Sequence, residues 1–162
     1  VSHTSRSALA EVRRILGALR TDGEGYRPQP GLEDLEDLAA ELRAAGVPVT
    51  LRMDGSPDPV PPALALTAYR LVQESLTNVV RHAAGAAATV TVTHGADALD
   101  VEVTDDGPPA PRPRDGDAPG GHGQLGMRER VAVWGGTLDA GPLPGGGYRV
   151  HAVLPLEEAR AR

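Results

Sequence analysis

The sequence predicts an α/β (α+β) two-layer sandwich, a mixed and mainly antiparallel sheet covered on one face by helices and preceded by one bundle helix. Three observations carry this. The periodicity from residue 32 onward runs helix, strand, helix, two strands, loop, helix, two strands, so strands and helices are interleaved in one domain. "ATVTVTH" (88–94) and "ALDVEVTDD" (98–106) both alternate at period two and are separated only by Gly95–Asp97, the pattern of an antiparallel hairpin. The N-terminal "SRSALAEVRRILGALR" (5–20) carries a narrow apolar stripe, the kind that packs in a helical bundle.

Each element has its own signal. In the first helix Ala8, Val12, Ile15, Leu16 and Leu19 fall at helical spacing, with Arg13, Arg14 and Arg20 outside. Gly and Pro make "TDGEGYRPQPG" (21–31) a linker. "LEDLEDLAAELRAAG" (32–46) turns Leu32, Leu35, Leu38, Ala39 and Leu42 inward and stops at Gly46. "VPVTLRMDG" (47–55) alternates as a strand, and "SPDPVPP" (56–62) leads into a long helix over about 63–84. After the hairpin comes "GPPAPRPRDGDAPGGHG" (107–123), in which ten of seventeen residues are Gly or Pro. Such a segment forms no packed element, and loops of that length are functional or disordered. "QLGMRERVAVWG" (124–135) is helical, "GTLDAG" (136–141) and "GGYRVHAVLPL" (146–156) are strands, and "PLPGG" (142–146) is their turn. The expected organisation is a partial bundle helix at 1–21, a linker at 22–31, one domain at 32–157 and a tail at 158–162.

Composition removes whole classes of function. The 162 residues carry a net charge of −6, which argues against a nucleic-acid backbone as partner. Phe is absent and Trp occurs once, so Leu, Val and Ala must build the core. No apolar run approaches the ~20 residues that cross a bilayer, and no signal peptide is visible. Without cysteine there are no disulfides, thiol nucleophiles or Cys-ligated zinc. All 16 basic residues are Arg. This excludes the Walker A loop, the strand lysine of protein kinases and Schiff-base chemistry. A nucleotide site in this chain must hold phosphates without lysine.

Within the long helix, "QESLTNVVRHA" (73–83) raises the functional question. Glu74, Asn78 and His82 recur every four residues and drift only about 40° per step, so they form one polar ridge. Ala68, Val72, Leu76, Val79 and Ala83 form the apolar stripe roughly opposite. A solvated face accounts for most such ridges, yet Asn is unfavourable in a helix interior, and four downstream segments have the makings of one nucleotide site. "VTDDG" (103–107) runs a strand into two carboxylates and a Gly at the mouth of the long loop. "GGHGQLGM" (120–127) leads Gly-rich backbone into a helix N-terminus, where unpaired N–H groups and the helix dipole suit an anion. Arg128 and Arg130 follow in the first turns of that helix. "PGGGY" (144–148) is foremost a hairpin turn.

Taken in order, "LVQESLTNVVRHA", "VEVTDDG", "GGHGQLGMRERVAVWGG" and "PGGGYRVHAVLP" resemble the N, G1 and G2 boxes of a histidine-kinase ATPase domain, with the GHKL (Bergerat) fold shared by gyrase, Hsp90 and MutL. "GMRERV…GG" and the upstream "SALAEVRRILGALR" resemble the nitrate-sensor-like class of bacterial two-component kinases. The resemblance implies an ATP-binding catalytic domain that passes the γ-phosphate of Mg²⁺-bound ATP to a histidine for relay to a response regulator. It further implies a homodimeric parent with a phosphoacceptor helix acting in cis or trans, no nucleic-acid partner, and a cytoplasmic location with the parent anchored in the cell membrane or free of it. Residue by residue, Asn78 matches the magnesium ligand and Glu74 the acidic residue that holds a metal-bound water or acts as base. Arg81 and His82 match positions that approach phosphates. Asp105 matches the adenine-reading carboxylate, with Gly107 behind it to admit the base. Gly121, Gly123 and Gly126 match the phosphate-side glycines. Residues 108–122 match the ATP lid, with His122 at its end among the nucleotide contacts, and Leu125 and Met127 supply apolar contact near the nucleotide.

The chain departs from that pattern in three places. Pro109 replaces the second Gly of the G1 box, which stiffens the base of the lid. Tyr148 stands where many members carry Thr and is left out of the expected site. His3 is followed by Thr4 rather than an acidic residue and precedes a segment resembling the second bundle helix, so the chain reads as beginning after the residue that receives phosphate. Two other readings stay open: a degenerate GHKL interaction module without kinase activity, suggested by "DDGPP", and an anti-sigma-type serine kinase, disfavoured by the upstream helix.

Overall fold

The computed structural model describes residues 28–108 and 122–157. The first helix, most of the linker, Pro109 and nearly all of the expected lid, and the tail lie outside them. A 3₁₀ turn at Leu32–Asp34 leads into α1, Leu35–Ala44; β1 is Val49–Gly55; α2 is Pro62–His82; β2 and β3 are Ala88–His94 and Ala98–Asp105; α3 is His122–Ala132; β4 and β5 are Thr137–Pro142 and Tyr148–Pro155. Expected elements and observed elements agree within a few residues. The helix read from 32 begins as a 3₁₀ turn, because Asp34 reaches back to accept from the Gly31 N–H at 2.8 Å and tightens the entry. Likewise α3 starts two residues earlier than its apolar pattern does.

One five-stranded sheet has the order β1-β2-β3-β5-β4. β1 and β2 are parallel, and every other pair is antiparallel. Parallel pairing needs a crossover, and α2 supplies it between β1 and β2. Alternation then decides the faces. Val90, Val92, Leu99, Val101, Val103, Val150, Ala152 and Leu154 are buried against the helices, while their neighbours Thr91, Glu102, Thr104, Arg149 and His151 line an open polar face. That face is held by side-chain pairs between strands: Arg149 Nε donates to Glu102 at 2.6 Å, and His151 Nε2 lies 2.8 Å from Asp100.

Between sheet and helices the core is leucine-rich, as a chain without Phe requires. Leu35, Leu38, Leu42, Leu64, Leu71, Leu76, Leu99, Leu154 and Leu156 are all fully buried. Each contributes about 1.5–3 kcal/mol by leaving water. Pro62 starts α2, where its missing N–H costs nothing. The lone Trp134 packs behind α3 and donates its indole N–H to Thr67 Oγ1 at 3.0 Å, tying the end of α3 to the first turns of α2. α2 is buried on more sides than a two-face pattern implies: Gln73, Ser75 and Thr77 are also inside. Thr77 satisfies its hydroxyl on the Gln73 carbonyl at 2.8 Å, and Gln73 Oε1 accepts from Arg70 at 2.8 Å.

Candidate functional site

The polar ridge of α2 keeps partial access to solvent, while the other residues of 71–80 are buried. Glu74 and Asn78 are half-buried, and Arg81 and His82 are exposed at its C-terminal end. Four-residue steps advance about 6 Å along the axis, so the ridge extends over the last turns of the helix. Its two ends meet different elements. At the Glu74 end stands the first turn of α3: a Cβ built on Gly123 would lie 2.5 Å from Glu74 Oε1. With glycine at this position the carboxylate stands directly against that helix start, where N–H groups lack partners within the helix. Beyond the far end, a Cβ on Gly107 would lie 2.8 Å from the Ala83 side chain and 2.8 Å from Asp105 Oδ1. Only glycine lets the turn after β3 close on the end of α2.

That turn sorts the two adjacent carboxylates. Asp105 is half-buried, and its Oδ1 accepts from the Gly107 N–H at 2.9 Å, leaving Oδ2 without a main-chain donor. Asp106 is exposed and structural. Its Oδ1 accepts from Ala87 N–H at 2.7 Å, and its own N–H donates to the Ala87 carbonyl at 3.1 Å, clamping the entry to β2. From the other side, the β4–β5 turn leans on the same place. Gly147 has φ +85°, and any side chain there would run into the Asp105 carbonyl. "PGGGY" thus buttresses the Asp105 backbone.

Tyr148, left out of the expected site, belongs to its wall. It pairs in register with Asp105, and its hydroxyl accepts from Gln124 Nε2. The contacts therefore close a ring: Glu74 to Gly123, Gln124 to Tyr148, Tyr148 to Asp105, Gly107 to Ala83, and back along α2. No motif spacing signals the Gln124–Tyr148 bond, which joins residues 24 apart through the fold.

Other expected residues fall less simply. Leu125 is 58% exposed beside the site, and Gly126 is half-buried. The expectation for Met127 needs correction. It is 0% exposed, and its sulfur accepts from Ser75 Oγ at 3.8 Å. It anchors α3 on α2 beneath the site, because position 127 shares its helix face with the buried Val131 one turn on. Arg128 leaves the anion position as well, donating to the Leu138 carbonyl at 3.1 Å. Arg130 folds back along α3, its guanidinium 3.9 Å from where a Cβ on Gly126 would stand. Gly121 and the side chain of His122 lie outside the described residues.

The arrangement suits a nucleotide held by magnesium. The ring brings the Glu74 and Asp105 carboxylates and the start of α3 together, with glycines where backbone must come close, and Asn78 stands half-buried on the same ridge one turn after Glu74. Among the described residues no group of three or more His, Asp or Glu side chains could hold a metal alone. Mg²⁺ needs no such cage when phosphate oxygens and waters complete its octahedron.

Comparison with known proteins gives a consistent picture. Residues 63–158 match the family model HATPase_c, described as histidine kinase-, DNA gyrase B-, and HSP90-like ATPase. The sensor histidine kinase YxjM of Bacillus subtilis is 31% identical over 158 residues, covering 96% of this chain and 37% of that protein. LnrJ, a sensor histidine kinase of the same organism, is 32% identical over 94% of this chain and 36% of its own length. The chain thus spans little more than a third of these relatives. Among solved structures, the blue-light activated histidine kinase EL346 of Erythrobacter litoralis superposes with a TM-score of 0.62 at 22% identity, covering 94% of this chain and 54% of that one. This last likeness is one of fold.

Proposed function

This chain belongs to the family of histidine kinase-, DNA gyrase B- and HSP90-like ATPases, and we propose that it is the catalytic part of a bacterial sensor histidine kinase: it binds Mg-ATP in the groove along α2 and presents the γ-phosphate to a histidine outside residues 1–162. The division at 1–21, 22–31, 32–157 and 158–162 is part of this reading, with the first segment docking as one helix of a dimeric bundle. The carrying observation is the ring that joins Glu74, Gly123, Tyr148, Asp105 and Gly107 around one end of α2.

ATP supplies the transferable phosphoryl group. The protein supplies position and charge, which dominate phosphoryl transfer. Asp105 accepts from the exocyclic amine of adenine, which guanine lacks at that position, and Gly107 keeps the approach open. Asn78 would hold the magnesium through its amide oxygen. Glu74, held against the start of α3, would orient a water beside the metal or take the proton of the acceptor. Gly121, Gly123 and Gly126 offer backbone to the phosphates, Arg81, His82 and His122 serve as further nucleotide contacts, and Leu125 supplies apolar contact. Phosphate would then pass to a response regulator.

Binding of ATP to Asn78→Ala, followed by calorimetry with and without magnesium, tests the central contact. The expected result is a large loss with magnesium and little change without it. Equal loss under both conditions removes Asn78 from the metal shell.

A further inference from the structure

β1 lies at one border of the sheet, and among the described residues no strand pairs with its outer side. Hydrogen-bond phase fixes which groups are free there. The Pro48 carbonyl accepts from Ala88 N–H, and Ser56 N–H donates to the His94 carbonyl, both at 2.9 Å. In a parallel pair the N–H and C=O of one residue point the same way and successive residues alternate. Even-numbered residues of β1 therefore serve β2, and Val49, Leu51, Met53 and Gly55 point outward. Arg43 Nε already takes the Val49 carbonyl at 2.6 Å, which limits an added strand to the stretch beyond it.

Phase and charge together select one register. In an antiparallel pair only outward-pointing residues can face each other with hydrogen bonds, so odd must meet odd. Placing Met53 opposite Met53 of the second copy puts Leu51 opposite Gly55 and Arg52 opposite Asp54, twice over by symmetry. Both charged residues are exposed and stand on the open face of the sheet, in register with Thr91 and Thr93. Opposite charges directly across a strand pair are favourable. Centring the pair on Arg52 instead would oppose like charges. Met53, 48% exposed on the helix side, would cover its counterpart at the two-fold axis. Val49 would face Pro57, which has no N–H to offer the carbonyl that Arg43 has capped.

We infer that two copies of this chain associate through antiparallel β1 edges centred on Met53, forming a continuous ten-stranded sheet with the two helical layers on one side. The paired segment sits at the end of the sheet away from the nucleotide residues. Asp105 is in register with Ala88 and thus lies beside Val49, whereas Gly55 is in register with His94 at the opposite end. Association leaves the groove along α2 open.

Because the chain has no cysteine, Met53→Cys gives a protein with one thiol, and facing residues in such a pair lie about 5.5 Å apart. A short thiol-specific cross-linker should convert it to covalent dimer, while Thr137→Cys, on the opposite border strand, should remain monomeric. Adding Arg52→Asp or Asp54→Arg singly should cut the cross-linking rate roughly tenfold or more, since each sets two like-charged pairs face to face. Mixing the two single-charge variants should restore it, as every facing pair is then of opposite sign, and the combined R52D/D54R swap should restore it too. ATP binding, unchanged in each variant, reports the fold. Cross-linking of Met53→Cys no faster than Thr137→Cys, or a rate indifferent to the charge changes, overturns the inference.

Discussion

Replacing Asp105 by asparagine separates two roles of its carboxylate. One is internal: Oδ1 accepts from Gly107 N–H at 2.9 Å, and an asparagine carbonyl can do the same. The other is external: the remaining oxygen accepts from the adenine amine, and an asparagine NH₂ set there opposes donor to donor. Asp105→Asn should therefore fold with little change while losing the charge-assisted bond, worth about 1.5–3 kcal/mol or roughly 10- to 150-fold in affinity. The ATP-over-GTP preference should shrink by a similar factor. Asp106 supplies the contrast. Its carboxylate bonds Ala87 N–H at 2.7 Å, so Asp106→Ala should cost about 1–2 kcal/mol of stability and leave base preference alone. At roughly 3–5 °C per kcal/mol for a domain of this size, the melting temperature should fall by several degrees. Calorimetry with ATP and GTP beside thermal melts of both variants reads all four quantities. Base preference lost in Asp106→Ala and kept in Asp105→Asn would refute the assignment of the inner carboxylate.

Two further outcomes follow from the packing. Gly123→Ala brings a methyl to within 2.5 Å of Glu74 Oε1, so the carboxylate must move; phosphoryl transfer should fall at least about tenfold while ATP affinity changes less, because the contact displaced acts in the transition state. Loss of affinity alone, with the rate at saturating ATP intact, would count against Glu74's role. Met127→Ala empties a fully buried site and should destabilise by about 2–5 kcal/mol in denaturant melts; a near-neutral change would mean that Met127 does not anchor α3.

How far the sequence reveals this molecule depends on the range of each interaction. Helix α2 and its ridge are visible because their determinants repeat every few residues, and the β2–β3 hairpin because its turn is three residues long. Parallel pairing of β1 with β2 is not local: Val49 meets Ala88 only after α2 has crossed between them, and alternation alone does not name a partner. Gln124 reads simply as a helix start, since its bond to Tyr148 exists only once β5 lies beside β3. The difference between Asp105 and Asp106 is set by which carboxylate the entry to β2 claims. Met127 misleads for a related reason: a motif marks which residues come together without saying which face of α3 turns inward.

Labelling with γ-labelled ATP tests the account most directly. None of the described histidines suits the acceptor role: His94 is buried at the far end of β2, His151 is bound to Asp100 on the open face, and His82 belongs to the groove itself. His3 lacks an acidic neighbour in the sequence, and His122 closes the expected lid. The chain alone should bind ATP and acquire no stable phosphohistidine. Adding a separate polypeptide that carries a first bundle helix with a His-Asp or His-Glu pair should place acid-labile label on that polypeptide, and Asn78→Ala should abolish it. Acid-labile label on the chain by itself, lost in His3→Gln, would contradict the account and make His3 the acceptor.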